Sequence, residues 1–210
     1  VSPEVKALMR FAQSEAILAK QGQVAGVLFQ GIEKKDYKDV INISPRVKNG
    51  TFDVKQGELS VGIGISKKFN LNVGDKFYLV IPMATPFGNG GFKRKSKEFV
   101  VGSVIDFGKN DWNERLVVGD LKDLQEITEI GDRYVGAFVK LQNSDDANEV
   151  AKNLNEEFGV GFSIMTWYDV NRNIFEAVII EQAVIFLVIL LIVIVAALNI
   201  SSTLYVFIRQ

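Results

Sequence analysis

Ala183 to Leu198 reads AVIFLVILLIVIVAAL, sixteen apolar residues without a charge. After Asn199 the apolar character resumes at Ile200, continues through Leu204-Tyr205-Val206-Phe207-Ile208 and stops at Arg209. At 1.5 Å per residue, a helix over 183–208 would span roughly 39 Å, enough to cross a hydrocarbon core of ~30 Å with some tilt. A soluble helix of that length carries a charged face, and this stretch has none. It predicts a transmembrane helix, with some 180 residues of mixed sequence on one side of the bilayer.

Those earlier residues differ in kind. The chain has 24 Lys and Arg against 25 Asp and Glu, and nearly all of them precede residue 183. The two signs are interspersed, as on a solvated globular surface, and no basic stripe marks a nucleic-acid partner. About 180 residues can bury a core, in one domain or two small ones. The sequence contains no Cys and no His. Disulfides, thiolate nucleophiles, Cys/His zinc sites and imidazole bases are thereby excluded.

The chain opens on Val1 without a signal peptide. A long exported segment ahead of a membrane helix needs an export signal. The sequence is therefore expected to be a fragment, with an earlier membrane helix before Val1 and more chain after Gln210. Arg209 follows the apolar run, while Glu176 and Glu181 precede it. By the positive-inside rule residue 210 lies on the cytoplasmic side and residues 1–175 face outward.

Residues 1–43 read as short strands and turns, with Val24–Ile32 the clearest β run. Leu59 to Ile65 alternates with period two, a strand signal. Ser66-Lys67-Lys68-Phe69 suits one helical turn, Asn72-Val73-Gly74-Asp75 a tight turn, and Lys76–Ile81 a strand. Gly62-x-Gly64 lacks the third glycine of a dinucleotide loop and the Gly-Lys-Ser/Thr of a P-loop. Close backbone packing is the better reading. Residues 82–98, PMATPFGNGGFKRKSKE, read as a long loop or hairpin arm between two strands. Its tip would carry Phe87 and Phe92, followed by the basic residues Lys93, Arg94, Lys95 and Lys97. Long loops in compact domains often bind partners, although an ordinary solvated loop fits the composition as well.

Further on, 116–119 predicts a strand and Leu121–Ile130 a helix with Asp120 as its N-cap. Tyr134–Leu141 alternates as a strand. Residues 143–158 predict a helix with Ala147, Val150, Ala151, Leu154 and Phe158 on one face, and Phe162–Thr166 another strand. Residues 116–166 thus read as an α+β layer, whereas 45–119 read as almost all β. WYDVNRNIFEAVIIEQ, residues 167–182, predicts an amphipathic helix that lies near the membrane interface and runs into the membrane helix.

Three stretches carry a family resemblance. ELSVGIGISKKFNLNVGDKFYLVIP (58–82) is similar to the I-G-x-x-(L/I)…(L/V)-x-x-G-D-x-(V/F)-x-(L/V) stretch of the LolC/LolE family, permeases of lipoprotein-releasing ABC transporters. TWYDVNRNIFEAVIIEQ (166–182) looks like that family's approach to its second membrane helix, and AALNISSTL (196–204) resembles a segment within that helix. The resemblance implies an α+β periplasmic domain. A porter-like part would comprise residues 1–44 and 120–172, a β-rich sabre-like insertion residues 45–119, and a lead-in plus transmembrane helix residues 173–210. It implies a non-catalytic subunit of the bacterial inner membrane, with residues 1–175 in the periplasm and no catalytic residue, metal or cofactor. Its expected partners are a separate LolD-like cytoplasmic ATPase, a second permease or a copy of itself, a LolA-like periplasmic chaperone and the lipoprotein substrate.

In LolC-type members the loop after this strand is a hook that enters the chaperone, with a polar and basic pad beside it. Carried over, Pro82, Pro86, Phe87 and Phe92 belong to the hook, and Lys93, Arg94, Lys95 and Lys97 to the pad. The family's closing proline is missing here and the loop is glycine-rich; the resemblance favours a LolC-like over a LolE-like member, and a hybrid serving as both halves of a homodimeric permease stays open. Ala196, Ala197, Asn199, Ser201, Ser202 and Thr203 are expected at contacts between membrane helices. A MacB-like efflux or signalling permease is the second reading. A membrane-tethered hydrolase is the third, resting on Ser66-Lys67, Ser96-Lys97 or the carboxylates Asp106, Asp111 and Glu114.

Overall fold

A computed structural model describes residues 4–35, 37–84 and 92–209. The chain divides into two compact units, Val1–Gln142 and Asn143–Gln210.

The first unit is built on one mixed sheet of eight strands. β1 (Val5–Lys20) and β2 (Gln23–Ile32) form a long antiparallel hairpin. Gln21 and Gly22, both at positive φ, make the two-residue turn whose twist suits such a hairpin. The short helix α1 (Tyr37–Val40) leads to β3 (Val47–Gly50). Then follow β4 (Glu58–Gly62), α2 (Ile63–Phe69), β5 (Lys76–Ala84), β6 (Phe92–Ile105), α3 (Asn110–Arg115), β7 (Leu116–Asp120), α4 (Leu121–Thr128) and β8 (Gly136–Leu141).

Pairing runs β2-β7-β4-β6-β5-β1-β8, and β1 also pairs with β2, so six strands close into a ring. The first half of β1 pairs with β8, and Ile17–Ala19 pair with β5. Two parallel pairs, β2 with β7 and β4 with β6, sit among antiparallel ones. Alternation along the strands sends Leu18, Phe29, Leu59, Leu79, Phe99 and Val117 into one apolar cluster. α4 lays Leu121, Leu124 and Ile127 onto that cluster. A second cluster gathers Met9, Ile32, Tyr37, Val54, Ile105 and Phe107. The architecture is α+β, as expected from sequence.

Gly62 and Gly64 are positions of close approach. A Cβ on Gly62 would stand 2.3 Å from the Asn113 carbonyl oxygen, and one on Gly64 2.8 Å from the same atom. The two glycines let α3 press against the β4–α2 junction, the packing role that the sequence favoured over a nucleotide loop.

The second unit contains α5 (Ala147–Phe158), α6 (Trp167–Val170) and α7 (Arg172–Arg209). α7 is a single helix of 38 residues, about 57 Å long at the standard rise. It has no proline or glycine to bend it. The α6–α7 elbow is tightly specified. Thr166 and Asp169 form a reciprocal capping box, and the Asn171 side chain donates to the Trp167 carbonyl at 2.7 Å. Trp167 and Tyr168 both pack on Phe175, with ring centroids 5.2 and 4.7 Å away.

Several expectations are corrected. Residues 1–43 hold two long strands rather than several short ones, because β1 crosses from one partner to another along its length. The stretch 45–119 contains α2 and α3, and its strands share one sheet with β1, β2 and β8. Ile63 and Ile65 belong to α2, although they alternate with Val61, because the chain turns helical at Gly62. Phe162–Thr166 form no strand. Residues 167–182, expected as one amphipathic helix running into the membrane helix, are divided between α6 and α7, and from Arg172 the helix runs unbroken into the apolar stretch as expected.

Candidate functional site: the β5–β6 hairpin and the apolar helix

Of the stretch 82–98, read as a long loop or hairpin arm, the described residues are all strand. β5 extends to Ala84 and β6 begins at Phe92, with pairs from Lys76↔Val100 out to Ala84↔Phe92. β1 meets β5 only at Tyr78–Val80, and β4 meets β6 only from Val100 onward. Residues 81–84 and 92–99 are therefore paired only with each other among the described residues. They make a two-stranded arm that outruns the rest of the sheet.

Period-two alternation splits the basic run between two faces. Arg94 shares the exposed outer face with its partner Pro82, and with Ser96 and Glu98. On that face Glu98 accepts from Lys76 at 2.7 Å and from the Tyr78 hydroxyl at 2.9 Å. These bonds, Lys76 first, hold its carboxyl below the usual range. Lys95 and Lys97 point the other way, in line with buried Phe99 and opposite buried Ile81 and Leu79. Arg94 thus stands on one face of this strand, and Lys95 and Lys97 on the other.

The inward lysines meet α4. Lys97 donates to Asp123 at 2.8 Å and also to Glu126. Lys95 donates to the Glu126 carbonyl at 2.8 Å and to Glu129 at 3.1 Å. The Asp123 side chain is only 2% exposed, and its second oxygen accepts the Gly57 N–H at 2.7 Å. Burial alone would lower the Lys97 pKa, but the bonds to Asp123 and Glu126 outweigh it and raise the ammonium above its ordinary value. Lys97 in turn holds the Glu126 carboxyl below its ordinary value. These acids were not singled out from the sequence. Their spacing, Asp123-x-x-Glu126-x-x-Glu129, was the available signal: carboxylates three apart on a helix face, against lysines two apart on a strand.

Of the expected hook residues, Pro82 is exposed at the outer end of β5. Phe92 and Lys93 begin β6 by backbone. Pro86 and Phe87 lie outside the described residues.

The expected membrane-helix contacts all lie on α7 and are exposed within this chain. Ala196, Asn199, Ser202 and Thr203 fall on one side of the helix, Ala197 and Ser201 on another. The Thr203 hydroxyl donates to the Asn199 carbonyl at 2.9 Å, which satisfies it within the helix.

Two of the residues behind the hydrolase reading, Ser66 and Asp106, have structural partners. The Ser66 hydroxyl donates to the Leu71 carbonyl at 2.8 Å, closing the end of α2. Asp106 accepts from the Asn113 side chain at 2.9 Å and from the Gly108 N–H at 3.0 Å, shaping the approach to α3. These bonds, Asn113 first, lower its pKa. Among the described residues no group of three or more His, Cys, Asp or Glu side chains could hold a metal ion.

No family model matches the chain. Individual proteins do. Lipoprotein-releasing system transmembrane protein LolC of Neisseria meningitidis serogroup B is 25% identical over 207 residues, 95% of this chain and 49% of that protein. LolC of Xylella fastidiosa strain 9a5c is 24% identical over 206 residues, 96% of this chain and 49% of that one. LolE of Haemophilus influenzae is 24% identical over 214 residues, 100% of this chain and 50% of that protein. The chain spans about half the length of the curated relatives it matches. In fold it is similar to the periplasmic region of MacB from Actinobacillus actinomycetemcomitans, with a TM-score of 0.55 at 16% identity, covering 82% of this chain and 77% of that one. It is also similar to the extracellular domain of the noncanonic ABC-type transporter YknZ from Gram-positive bacteria, with a TM-score of 0.53 at 15% identity, covering 75% and 79%. The family resemblance carried by 58–82 and 166–204 therefore extends to about 95% of the chain, which is LolC/LolE-like, shares the fold of the MacB and YknZ domains and has, among the described residues, one helix of membrane length.

Proposed function

We propose that this chain is part of a permease subunit of an ABC transporter that extracts lipoproteins from the bacterial inner membrane and passes them to a periplasmic chaperone. The observation that carries the reading is the identity to lipoprotein-releasing LolC and LolE proteins along nearly the whole chain. The likeness to MacB and YknZ supports the fold alone and does not favour an efflux role. In this reading the subunit is non-catalytic. A LolD-like ATPase works on the cytoplasmic side, and a second permease subunit or another copy of this one completes the membrane part. Residues 1–175 face the periplasm and Arg209 lies at the cytoplasmic face.

The hairpin arm is the chaperone-binding hook, with Pro82, Pro86, Phe87 and Phe92 as its apolar part and Arg94 beside it. Apolar anchors entering a pocket are commonly worth about 2 kcal/mol or more each. The test is binding of a purified LolA-like chaperone to the chain in lipid nanodiscs. Phe87→Ala with Phe92→Ala should nearly abolish binding while the melting temperature stays unchanged. Undiminished binding by the double variant would overturn the hook assignment. A second measurement addresses orientation. The chain has no native cysteine, so Asn49→Cys labels at one position. Modification by an impermeant reagent from outside intact cells is expected, and labelling only after permeabilisation would reverse the topology.

A further inference from the structure

We infer that Asp123, Glu126 and Glu129 act as positioning residues for the hairpin arm, holding Lys95 and Lys97 so that the arm projects in one fixed direction toward its partner. The inference rests on the hook reading but assigns these two lysines a different task, because their charges are satisfied within the chain rather than offered to a partner.

A two-stranded ribbon that leaves its sheet has little to fix its angle, since a lone hairpin is marginal in water. The described arm, 81–84 with 92–99, has no third strand on either side. It does have a helix beside it. Lys97 reaches Asp123 and Glu126, and Lys95 reaches the Glu126 carbonyl and Glu129, so two rungs of the ribbon are tied to two successive turns of α4. α4 itself is anchored. Leu121, Leu124 and Ile127 are buried, Asp120 caps its first turn by accepting from the Lys122 N–H at 2.7 Å, and Asp123 also holds the turn before β4 through Gly57. The ties therefore join the arm to the rigid body of the unit. The lysine stems also lie over Leu79 and Ile81, which are 0% and 4% exposed. A shorter or apolar residue could cover these side chains but would not reach the carboxylates.

Holding an interface segment in its bound direction beforehand lowers the ordering cost of association. A direct contact and a brace make opposite predictions for a charge swap. If Lys95 touches an acidic partner, Lys95→Glu loses binding and a compensating Glu129→Lys does not restore it. If Lys95 braces the arm, the swap re-forms the ion pair with its signs exchanged, without the bond to the Glu126 carbonyl, and most of the binding returns.

The experiment uses the full chain in nanodiscs, with spin labels on cysteines at Ser96, on the exposed face of the arm, and at Asn49 in β3. Pulsed dipolar spectroscopy reads the spread of their separation, and chaperone affinity is measured on the same proteins. Lys95→Glu and Glu129→Lys singly should each broaden the distance distribution and weaken binding about fivefold, the scale of one well-placed ion pair. The double variant should narrow the distribution again and recover most of the affinity. Unchanged distributions in the single variants would overturn the brace. So would a double variant that recovers the narrow distribution without the affinity, because Lys95 would then meet the partner itself. Failure of the parent chain to bind the chaperone would overturn the hook reading instead, and the distance measurement would still decide the brace.

Discussion

Phe99 and Phe186 carry the same side chain into opposite surroundings. Phe99 lies in β6, fully buried, with the rings of Phe29 and Phe77 5.9 and 6.4 Å away. Phe186 lies on α7 and is 68% exposed, as are most of its aliphatic neighbours to a similar degree. The first unit satisfies its apolar residues internally, by strand alternation and a covering helix. The second turns them outward along an entire helix, which in water is unfavourable at about 25 cal/mol for each Å². What stabilises one unit is its own interior, whereas the other takes its stability from hydrocarbon. Each region should accordingly fail in its own way.

The largest effect is expected in the enclosed core. Phe99→Ala removes a ring that touches two others and leaves a cavity in the main apolar cluster. Substitutions of this kind cost about 3–5 kcal/mol. Denaturant unfolding followed by near-ultraviolet circular dichroism should show that loss, and membrane insertion of the chain should not change. Phe186→Ala is the matched control, and its effect on unfolding of the first unit should be negligible. Similar losses from the two would break the comparison.

A smaller effect is expected when a charge enters the apolar helix. Leu191 is exposed near the middle of the apolar run. Leu191→Arg should disfavour insertion by about 2.5–3.5 kcal/mol, the range for a charge at the centre of a membrane helix. A glycosylation-site insertion assay reads this as a fall in the inserted fraction. The same substitution at an exposed strand position such as Lys6 is already conservative in charge and should leave insertion unaltered. An inserted fraction unchanged by Leu191→Arg would mean that this part of α7 lies outside hydrocarbon.

Both regions were visible in the sequence, to different depths. The apolar helix was plain because sixteen consecutive apolar residues have few alternative structures. Its start at Arg172 was legible to within a residue, since the lead-in expected from residue 173 runs into the apolar stretch without a break. Asp120 was legible as a cap because its chemistry is local. The closed ring of strands was not legible, as pairing between residues as distant as Val5 and Leu141 leaves no local trace. At the arm a hairpin was among the readings, but the basic run was taken from composition as one cluster. Strand period was the better guide, because it separates Arg94 from Lys95 and Lys97. That reading also required the acids at Asp123, Glu126 and Glu129, which lie 26 to 34 residues further along the chain and reach the arm only through tertiary packing.

The smallest expected effect is an acid dependence confined to the first unit. There Glu33, Asp75, Glu98, Asp106 and Glu126 all have lowered pKa values. The leading cause is a side-chain bond to Arg10 for Glu33, the Asn72 N–H for Asp75, Lys76 for Glu98, Asn113 for Asp106 and Lys97 for Glu126. In the second unit the described residues show one such group, Asp169, held down by Thr166. A carboxyl whose pKa is lower in the folded state stabilises the fold above its unfolded pKa, near 4, and loses that contribution as pH falls through the folded value. The cations Arg10, Lys76 and Lys97 are shifted upward. Their contribution is complete below the unfolded pKa, which for lysine is about 10.4, and is lost only as pH rises beyond it. The melting temperature of the first unit should therefore be level from about pH 5 to 9 and fall progressively below about pH 4. The helical signal of α7 in nanodiscs should persist through that fall. Glu98→Gln, which keeps an acceptor for Tyr78 but loses the charge that faces Lys76, should make the acid slope shallower. An unchanged slope would remove Glu98 from the acid-sensitive set, and an α7 signal that melted together with the first unit would show that the two regions do not draw their stability from separate sources.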